Sequence, residues 1–304
     1  MSLGIEVMTG AVRGGTSILY AAAGESLAET AGVVNLGTEG SILVGALAAY
    51  AVTANTGNPW VGALAGGAAG GALALVHAFF VLHRKSNQLA TGLVVLFLGL
   101  GVTSLFGAAY VSREVHAFRP WNVPLLARIP WAGDILFRHD PLTYVSYLLV
   151  PVLWYLLNRT GAGLLLRGAG ERSEVLSTYG HPVRAVQYLA VVGGGVLAGV
   201  GGAQLSTAYA NAWFENMAQG RGFVAVAVVI FAARKPLAVM GGSYLFGAAL
   251  ALSPALQARG WSVNQFALDS LPYLAILVVL VILGKKRAAE SPEGLSAVFE
   301  MSVT

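Results

Sequence analysis

Long apolar segments recur from one end of this chain to the other, and they constrain its fold more than any other feature. About nine can be placed, and most approach the ~20 residues that a helix needs to cross a bilayer. They cover residues 9–23, 41–54, 60–82, 88–110, 141–157, 186–209, 222–233, 237–252 and 271–283. Residues 24–32, which follow the first of them, are too polar to lie against lipid and are read as a break. Only 11% of the residues are charged, whereas a soluble domain has about a quarter. The sequence predicts an all-α integral membrane protein, a polytopic bundle of about 8–10 transmembrane helices.

Clusters of basic residues follow several of these segments, and they predict which loops are cytoplasmic, because Lys and Arg are retained on that side. The clusters are His83–Lys85, Arg159–Arg184, Arg234–Lys235 and Lys285–Arg287. Loops 112–140 and 210–220 are then extracytoplasmic, with the amino terminus outside and the carboxyl terminus inside. We assign residues 1–287 to a transmembrane domain and residues 288–304 to a polar tail.

The segment 159–184 concentrates charge in a chain that has only 18 Lys and Arg and 14 Asp and Glu. Residues 171–179 contain enough helix formers for a short helix, which Gly180 and the following His-Pro would end. A short helix on the cytoplasmic face can be a docking surface for a soluble partner. The alternative is an ordinary connecting loop.

Two polar stretches interrupt the apolar pattern, at Gly32–Gly40 and Gln219–Gly222. Irregular backbone at membrane depth is tolerated only inside protein or beside a water-filled cavity. Each stretch opens an apolar run that meets a proline, so the pair resembles a weak internal repeat with broken or re-entrant segments. Such interruptions in corresponding halves of a chain are typical of a transporter's substrate path.

Four residues near these interruptions are candidates for that path: Asn35, Glu39, Phe214 and Arg221. Ionisable residues within spans are costly and normally mark a path or a pair, so Glu39 and Arg221 are the main candidates. Both could instead lie at the end of a span and reach water. Asn35 could cap a helix or bond between helices, and Phe214 could be an interfacial anchor rather than a stacking platform.

Several classes of function find no support in the sequence. No phosphate-binding G-x-x-x-x-G-K-[ST] loop occurs, so ATP hydrolysis by this chain alone is not expected. Metal-ligand spacings, paired carboxylates and nucleophile–base patterns are also missing from the spans, which argues against an integral-membrane enzyme. The net charge of +4 is explained by basic cytoplasmic loops and does not indicate nucleic-acid binding. The chain has no cysteine and therefore no disulfide.

Five blocks of sequence, in order along the chain, resemble ABC-importer permeases of the nucleoside and simple-sugar branch, a superfamily that includes branched-chain amino-acid permeases. The blocks are GESLAETAGVVNLGTEG (24–40), SNQLATGL (86–93), RGAGERSEVLSTYG (167–180), GVLAGVGGAQLS (195–206) and QGRGFVAVAVVIFAARKPLAVMGGSYLFG (219–247). A single block would be weak support, but together they span nearly the whole chain.

This resemblance implies a multi-pass subunit of the bacterial cytoplasmic (inner) membrane that binds no cofactor itself. Its partners would be a second permease subunit, often a different chain, a cytoplasmic ATPase that uses ATP, and an extracytoplasmic substrate-binding protein. Segment 159–184 would supply the coupling helix that sits in a groove of the ATPase. By resemblance, that role falls on Gly170, Glu171, Glu174 and Gly180. The chain departs from the family pattern at Arg172-Ser173, where the family commonly has Asn-Pro, and at Tyr179, where a small residue is usual.

The substrate is the least constrained part of the prediction. Nucleosides come first, because the block at 24–40 looks closest to that sub-branch, and simple sugars such as ribose or galactose come second. A secondary transporter driven by an ion gradient is the alternative from another class. It would need an acidic or histidine relay deep in the spans, for which Glu39 and His77 offer slight support.

Overall fold

Eleven α-helices make up most of the described part of the chain. The computed structural model describes residues 2–261 and the single positions 268, 270, 271, 274, 277 and 278. The helices are α1 Leu3–Thr30, α2 Thr38–Thr56, α3 Pro59–Ala78, α4 Gln88–Gly107, α5 Ala132–Leu136, α6 Pro141–Arg159, α7 Gly161–Glu171, α8 Ser173–Thr178, α9 Val183–Gln204, α10 Arg221–Ala232 and α11 Pro236–Gln257. The predicted span 271–283, the basic cluster 285–287 and the tail 288–304 lie largely or wholly outside the described residues.

Five of the described helical segments are long and apolar enough to cross a membrane. They are Pro59–His83, Gln88–Tyr110, Pro141–Arg159, Val183–Tyr209 and Pro236–Gln257. Two of them include π-helical ends, Phe79–His83 after α3 and Leu205–Tyr209 after α9. These segments and α1, α2 and α10 correspond to eight of the predicted spans, which confirms an all-α polytopic architecture.

Local sequence explains where several of these helices begin. Asn58 accepts the backbone N–H of Trp60 at 3.0 Å, and Pro59 occupies the first helical position of α3. Asp140 accepts the N–H of Thr143 at 3.0 Å, and Pro141 opens α6 in the same way. A side-chain oxygen before the helix satisfies an otherwise orphaned N–H, and proline has no N–H to satisfy.

Helix α1 corrects the sequence prediction, which ended the first apolar segment at Ala23 and treated the next residues as a polar break. The helix instead continues to Thr30, with Glu25 and Glu29 both 2% exposed. Helices α9, α10 and α11 pack around α1. Polar residues are therefore kept from lipid by other helices rather than by leaving the helix.

Glycines allow α2, α3 and α9 to approach until their backbones touch. A Cβ added to Gly199 on α9 would lie 2.2 Å from the carbonyl oxygen of Gly66 on α3. A Cβ added to Gly45 on α2 would lie 2.4 Å from the Cα of Gly199. Small residues at such crossings let helices associate through backbone packing in the absence of a hydrophobic driving force.

Substituting Gly199→Ala is expected to destabilise the protein by about 1–3 kcal/mol, because overpacking a tight contact forces the backbones apart. Gly193 lies on the same helix, and a Cβ added there would have no atom within 4 Å, so Gly193→Ala is the matched control. The melting temperature of the purified protein in detergent measures both. Equal melting temperatures for the two variants would contradict the packing argument.

The predicted extracytoplasmic loop 112–140 is folded against the helices. A short antiparallel pair, Trp121–Asn122 with Arg138–His139, closes it, and α5 lies within it. The hydroxyl of Thr9 on α1 donates to the carbonyl oxygen of Asp134 at 3.2 Å. Burial lowers the pKa of His139, because the imidazolium form loses hydration there.

Candidate functional site

The turn between α1 and α2, residues 31–37, is the first of the two predicted interruptions. Glu25 Oε1 accepts the backbone N–H of Asn35 at 2.8 Å, and Asn35 Oδ1 accepts the N–H of Gly37 at 2.9 Å. The Thr38 hydroxyl lies 3.0 Å from Glu25 Oε2 and 2.7 Å from the Asn35 carbonyl oxygen. Buried side chains thus provide hydrogen-bond partners for the polar groups of this irregular backbone. Within a membrane such groups must find their partners inside the protein.

Glu39 joins this turn to the second interruption. Its Oε1 accepts the N–H of Gly220 at 2.7 Å, and its Oε2 accepts the N–H of Gly222 at 2.5 Å. Glu39 is 3% exposed, and a Cβ added to Gly222 would lie 2.4 Å from the Glu39 nitrogen. The carboxylate therefore caps the first turn of α10, where backbone N–H groups and the helix dipole favour negative charge.

Arg221 is the first residue of α10 and is also buried. Its Nη1 donates to the carbonyl oxygens of Met217 and Ala218 at 3.2 and 3.1 Å, and its guanidinium carbon lies 5.8 Å from the Tyr209 ring centroid. Its charge also acts on the Glu39 carboxylate. The two opposite charges that the sequence placed at comparable interruptions are thus neighbours in space.

The stretch 210–220 corrects a second prediction, because it is more than an external loop. Trp213, Met217 and Ala218 are buried in the main hydrophobic core. The chain turns back into the protein and delivers Gly220 to Glu39. The following α10 has 12 residues, about 18 Å of helix, which is too short for a hydrocarbon core of about 30 Å. It is therefore a half-length helix that begins inside the protein.

Segment 159–184 is more helical than predicted, since α7 occupies its first half. The predicted short helix is present as α8, and Gly180 ends it with a left-handed φ of +80°. Glu171 and Glu174 are exposed, as a docking surface would need.

Gly170 differs from the other three predicted coupling residues, Glu171, Glu174 and Gly180, because it is buried and they are exposed. A Cβ added to it would lie 2.4 Å from the Thr30 carbonyl oxygen and 2.8 Å from the Gly32 nitrogen. Gln187 on α9 also donates to the Ala31 carbonyl oxygen at 3.1 Å. The end of α7 is therefore in backbone contact with the turn that leads to Glu39.

Comparison with known proteins decides the family. A sequence profile described as branched-chain amino acid transport system / permease component matches residues 7–283. The chain belongs to this permease family.

Named relatives agree with this assignment. A provisionally named glucose ABC transporter permease of Haloferax volcanii is 42% identical over 92% of this chain and 85% of its own length. A nucleoside ABC transporter permease of Lactococcus lactis is 29% identical over 92% of this chain and 93% of its own. A guanosine ABC transporter permease of Bacillus subtilis is 29% identical over 78% of each chain. The protein is therefore a multi-pass ABC transporter permease subunit of the sugar and nucleoside type rather than an enzyme, and its family implies ATPase and substrate-binding partners.

The permease brings together three of the four predicted path residues. Asn35, Glu39 and Arg221 are buried around the two interruptions, whereas Phe214 is 41% exposed and does not belong to that buried cluster. The side chain of Asn35 accepts the N–H of Gly37 within the turn itself, two residues on, rather than capping α2 as its N-cap residue. Contact of any of the four with substrate stays a prediction.

Sequence reasoning missed two parts of this arrangement. Glu25 supports the turn, but the polar composition of residues 24–32 placed it in a break instead of a helix. The spacing of Glu25 and Glu29, four residues apart, was a usable signal, because it puts both on one helix face. The second part is Gly32, which has a φ of +83° and whose backbone contacts Gly170. Nothing in the sequence distinguishes it from the other glycines.

Proposed function

We propose that this permease subunit forms part of the translocation path of an ATP-driven importer and couples it to a cytoplasmic ATPase. The observation that carries the proposal is the Glu39 carboxylate, which holds the N-terminus of half-length helix α10. Helix α10 begins inside the protein and packs in the main hydrophobic core, and its N-terminus is bonded to a side chain of α2, so a shift of α2 would carry that end of α10 with it. Interruptions of this kind are where transporters build their substrate paths.

The proposed coupling route begins at α8 and the exposed carboxylates Glu171 and Glu174, where the ATPase would dock. Movement of α7 would press Gly170 against the backbone of residues 30–32. That turn leads directly into α2 and Glu39, which holds α10. A rigid-body shift on one face would then change the position of α10, and the cavity between two permease subunits would switch the side it faces.

For the substrate we propose a small sugar first and a nucleoside second. The 42% identical relative is named for glucose, and the two relatives named for nucleoside and guanosine are each 29% identical. This ranking reverses the expectation from residues 24–40 alone. Both classes carry a hydroxylated ring, and an extracytoplasmic binding protein would select between them. The proposed setting is the cytoplasmic membrane, with a second, different permease chain completing the path.

The substrate class can be tested by reconstituting the permease with its co-purified ATPase and second permease in proteoliposomes. With the matching binding protein present, glucose uptake is expected to require ATP on the ATPase side of the membrane and to exceed guanosine uptake at equal concentration. Guanosine uptake above glucose would restore the nucleoside ranking. Uptake driven by an ion gradient without ATP or partners would overturn the importer proposal and favour a secondary transporter.

The docking role of α8 yields a separate prediction. Glu171→Lys and Glu174→Lys should leave membrane insertion intact and reduce recovery of the ATPase with the permease by about fivefold or more per charge reversal. Glu114, an exposed carboxylate on the predicted opposite face, provides the control Glu114→Lys. Full recovery of the ATPase and full stimulated ATP hydrolysis in both the Glu171→Lys and the Glu174→Lys variant would contradict docking at this surface.

A further inference from the structure

A cavity of about 500 Å³ opens on the face of the permease that carries α7 and α8. It lies between the ends of α1 and α6, helix α7 and the link from α10 to α11. Its volume falls in the usual range of small-molecule sites. None of the four path residues lines it, whereas Glu171 belongs both to its wall and to the proposed docking surface.

The wall of the cavity carries an excess of positive charge. Arg167, Arg234 and Lys235 line it together with one carboxylate, Glu171. The charge of Arg234 also acts on the buried Glu29. We test the site through Arg167 and Lys235. Thr30 and Asn158 add polar groups to the same wall. This arrangement suits a phosphate group, which accepts hydrogen bonds from several cations at once.

The backbone that presents two of these cations is strained. Ala233 and Arg234 both have a left-handed φ, +48° and +60°. Such conformations cost about 1 kcal/mol or more for residues with a Cβ and concentrate at ligand-binding sites and switches. The strain places Arg234 and Lys235 at the cavity.

The remaining wall is apolar and borders the outer surface of the helix bundle. Trp154 is 39% exposed and Leu237 is 67% exposed, and the buried Leu157 and Pro236 line the same wall. The guanidinium of Arg159 lies 5.8 Å from a Trp154 ring centroid, which adds another cation beside the opening. Exposed aromatic and aliphatic side chains next to cations fit a ligand with a charged head and hydrocarbon chains.

We propose that this cavity binds the phosphate headgroup of an anionic phospholipid, with the acyl chains lying along Trp154 and Leu237. The basic charge selects anionic over zwitterionic lipid, and the apolar rim selects a lipid over a soluble phosphate. Because the cavity contacts both α7 and the α10–α11 link, the bound lipid joins the coupling segment to the half-length helix. The lipid site itself does not depend on the proposed transport function.

Native mass spectrometry of the full-length permease, titrated with phosphatidylglycerol or phosphatidylcholine, tests the proposal. The wild type is expected to bind phosphatidylglycerol at least about fivefold more tightly, and Arg167→Gln and Lys235→Gln should each weaken that binding about fivefold. Ala238→Trp should also weaken it, because it fills the cavity without changing charge. Arg184→Gln, an exposed arginine outside the cavity, should leave binding unchanged.

Three results would overturn the proposal. The first is equal loss of binding in Arg184→Gln, which would indicate a diffuse charge effect. The second is displacement of phosphatidylglycerol by millimolar inorganic phosphate, which would reassign the cavity to a soluble phosphate. The third is unchanged lipid binding in the cavity variants together with loss of ATPase recovery, which would make the cavity part of the docking surface. Melting temperatures confirm that each variant is folded.

Discussion

Replacing Glu39 with Gln is expected to lower substrate uptake by more than about tenfold while leaving membrane insertion and partner assembly intact. The carboxylate accepts the N–H groups of Gly220 and Gly222 inside the protein. A glutamine amide offers one acceptor oxygen and turns its NH₂ group toward the second N–H. An unsatisfied buried donor costs about 1–3 kcal/mol, and 1.4 kcal/mol corresponds to a tenfold change. ATP-dependent uptake in proteoliposomes measures the effect.

Two further variants distinguish the effect of misplacing the carboxylate from the effect of removing its charge. Glu39→Asp retains the charge but is one methylene shorter, so it too should lose uptake. Glu215 is an exposed carboxylate that accepts a hydrogen bond from Ser104 in the same region, and Glu215→Gln is expected to have a smaller effect. Wild-type uptake in Glu39→Gln would remove this residue from the proposed mechanism.

Replacing Gly170 with Ala is expected to uncouple ATP hydrolysis from transport, lowering substrate moved per ATP hydrolysed by about tenfold. The added Cβ would meet backbone atoms of Thr30 and Gly32 at 2.4 and 2.8 Å, and backbone cannot swing aside as a side chain can. The end of α7 must then move away from the turn, at a cost of about 1–3 kcal/mol. The exposed surface of α8 is unchanged, so the ATPase should still bind.

Gly168 provides the matched control, because it lies on the same helix shortly before Gly170. A Cβ there would meet only the methyl groups of Leu176, at 3.6 and 3.7 Å. Uptake and ATP hydrolysis should be measured in the same proteoliposomes for both variants. Equal coupling ratios in Gly170→Ala and Gly168→Ala would show that this contact does not transmit the ATPase movement.

The order of helices could be predicted from sequence because the signals are local. A run of apolar side chains identifies a membrane-length helix whatever it packs against, and Asn58-Pro59 and Asp140-Pro141 mark helix starts through their own hydrogen bonds. Gly180 follows the end of a short helix as expected, because glycine adopts the left-handed φ of such an end whatever packs around it. The error at Glu25 and Glu29 has the opposite origin, since their burial depends on helices far along the chain.

The sequence by itself determined that this protein is a polytopic helical permease, the order of its long apolar helices and which exposed carboxylates border α8. Only the tertiary structure decided that Glu39 meets Gly220 and Gly222, more than 180 residues away in sequence. It also decided that Gly170 lies buried against the turn after α1 instead of on the docking surface. The physical reason is that helix packing decides which backbone lies next to a buried polar side chain or a glycine. That backbone can belong to any part of the chain, so local residue patterns do not predict it.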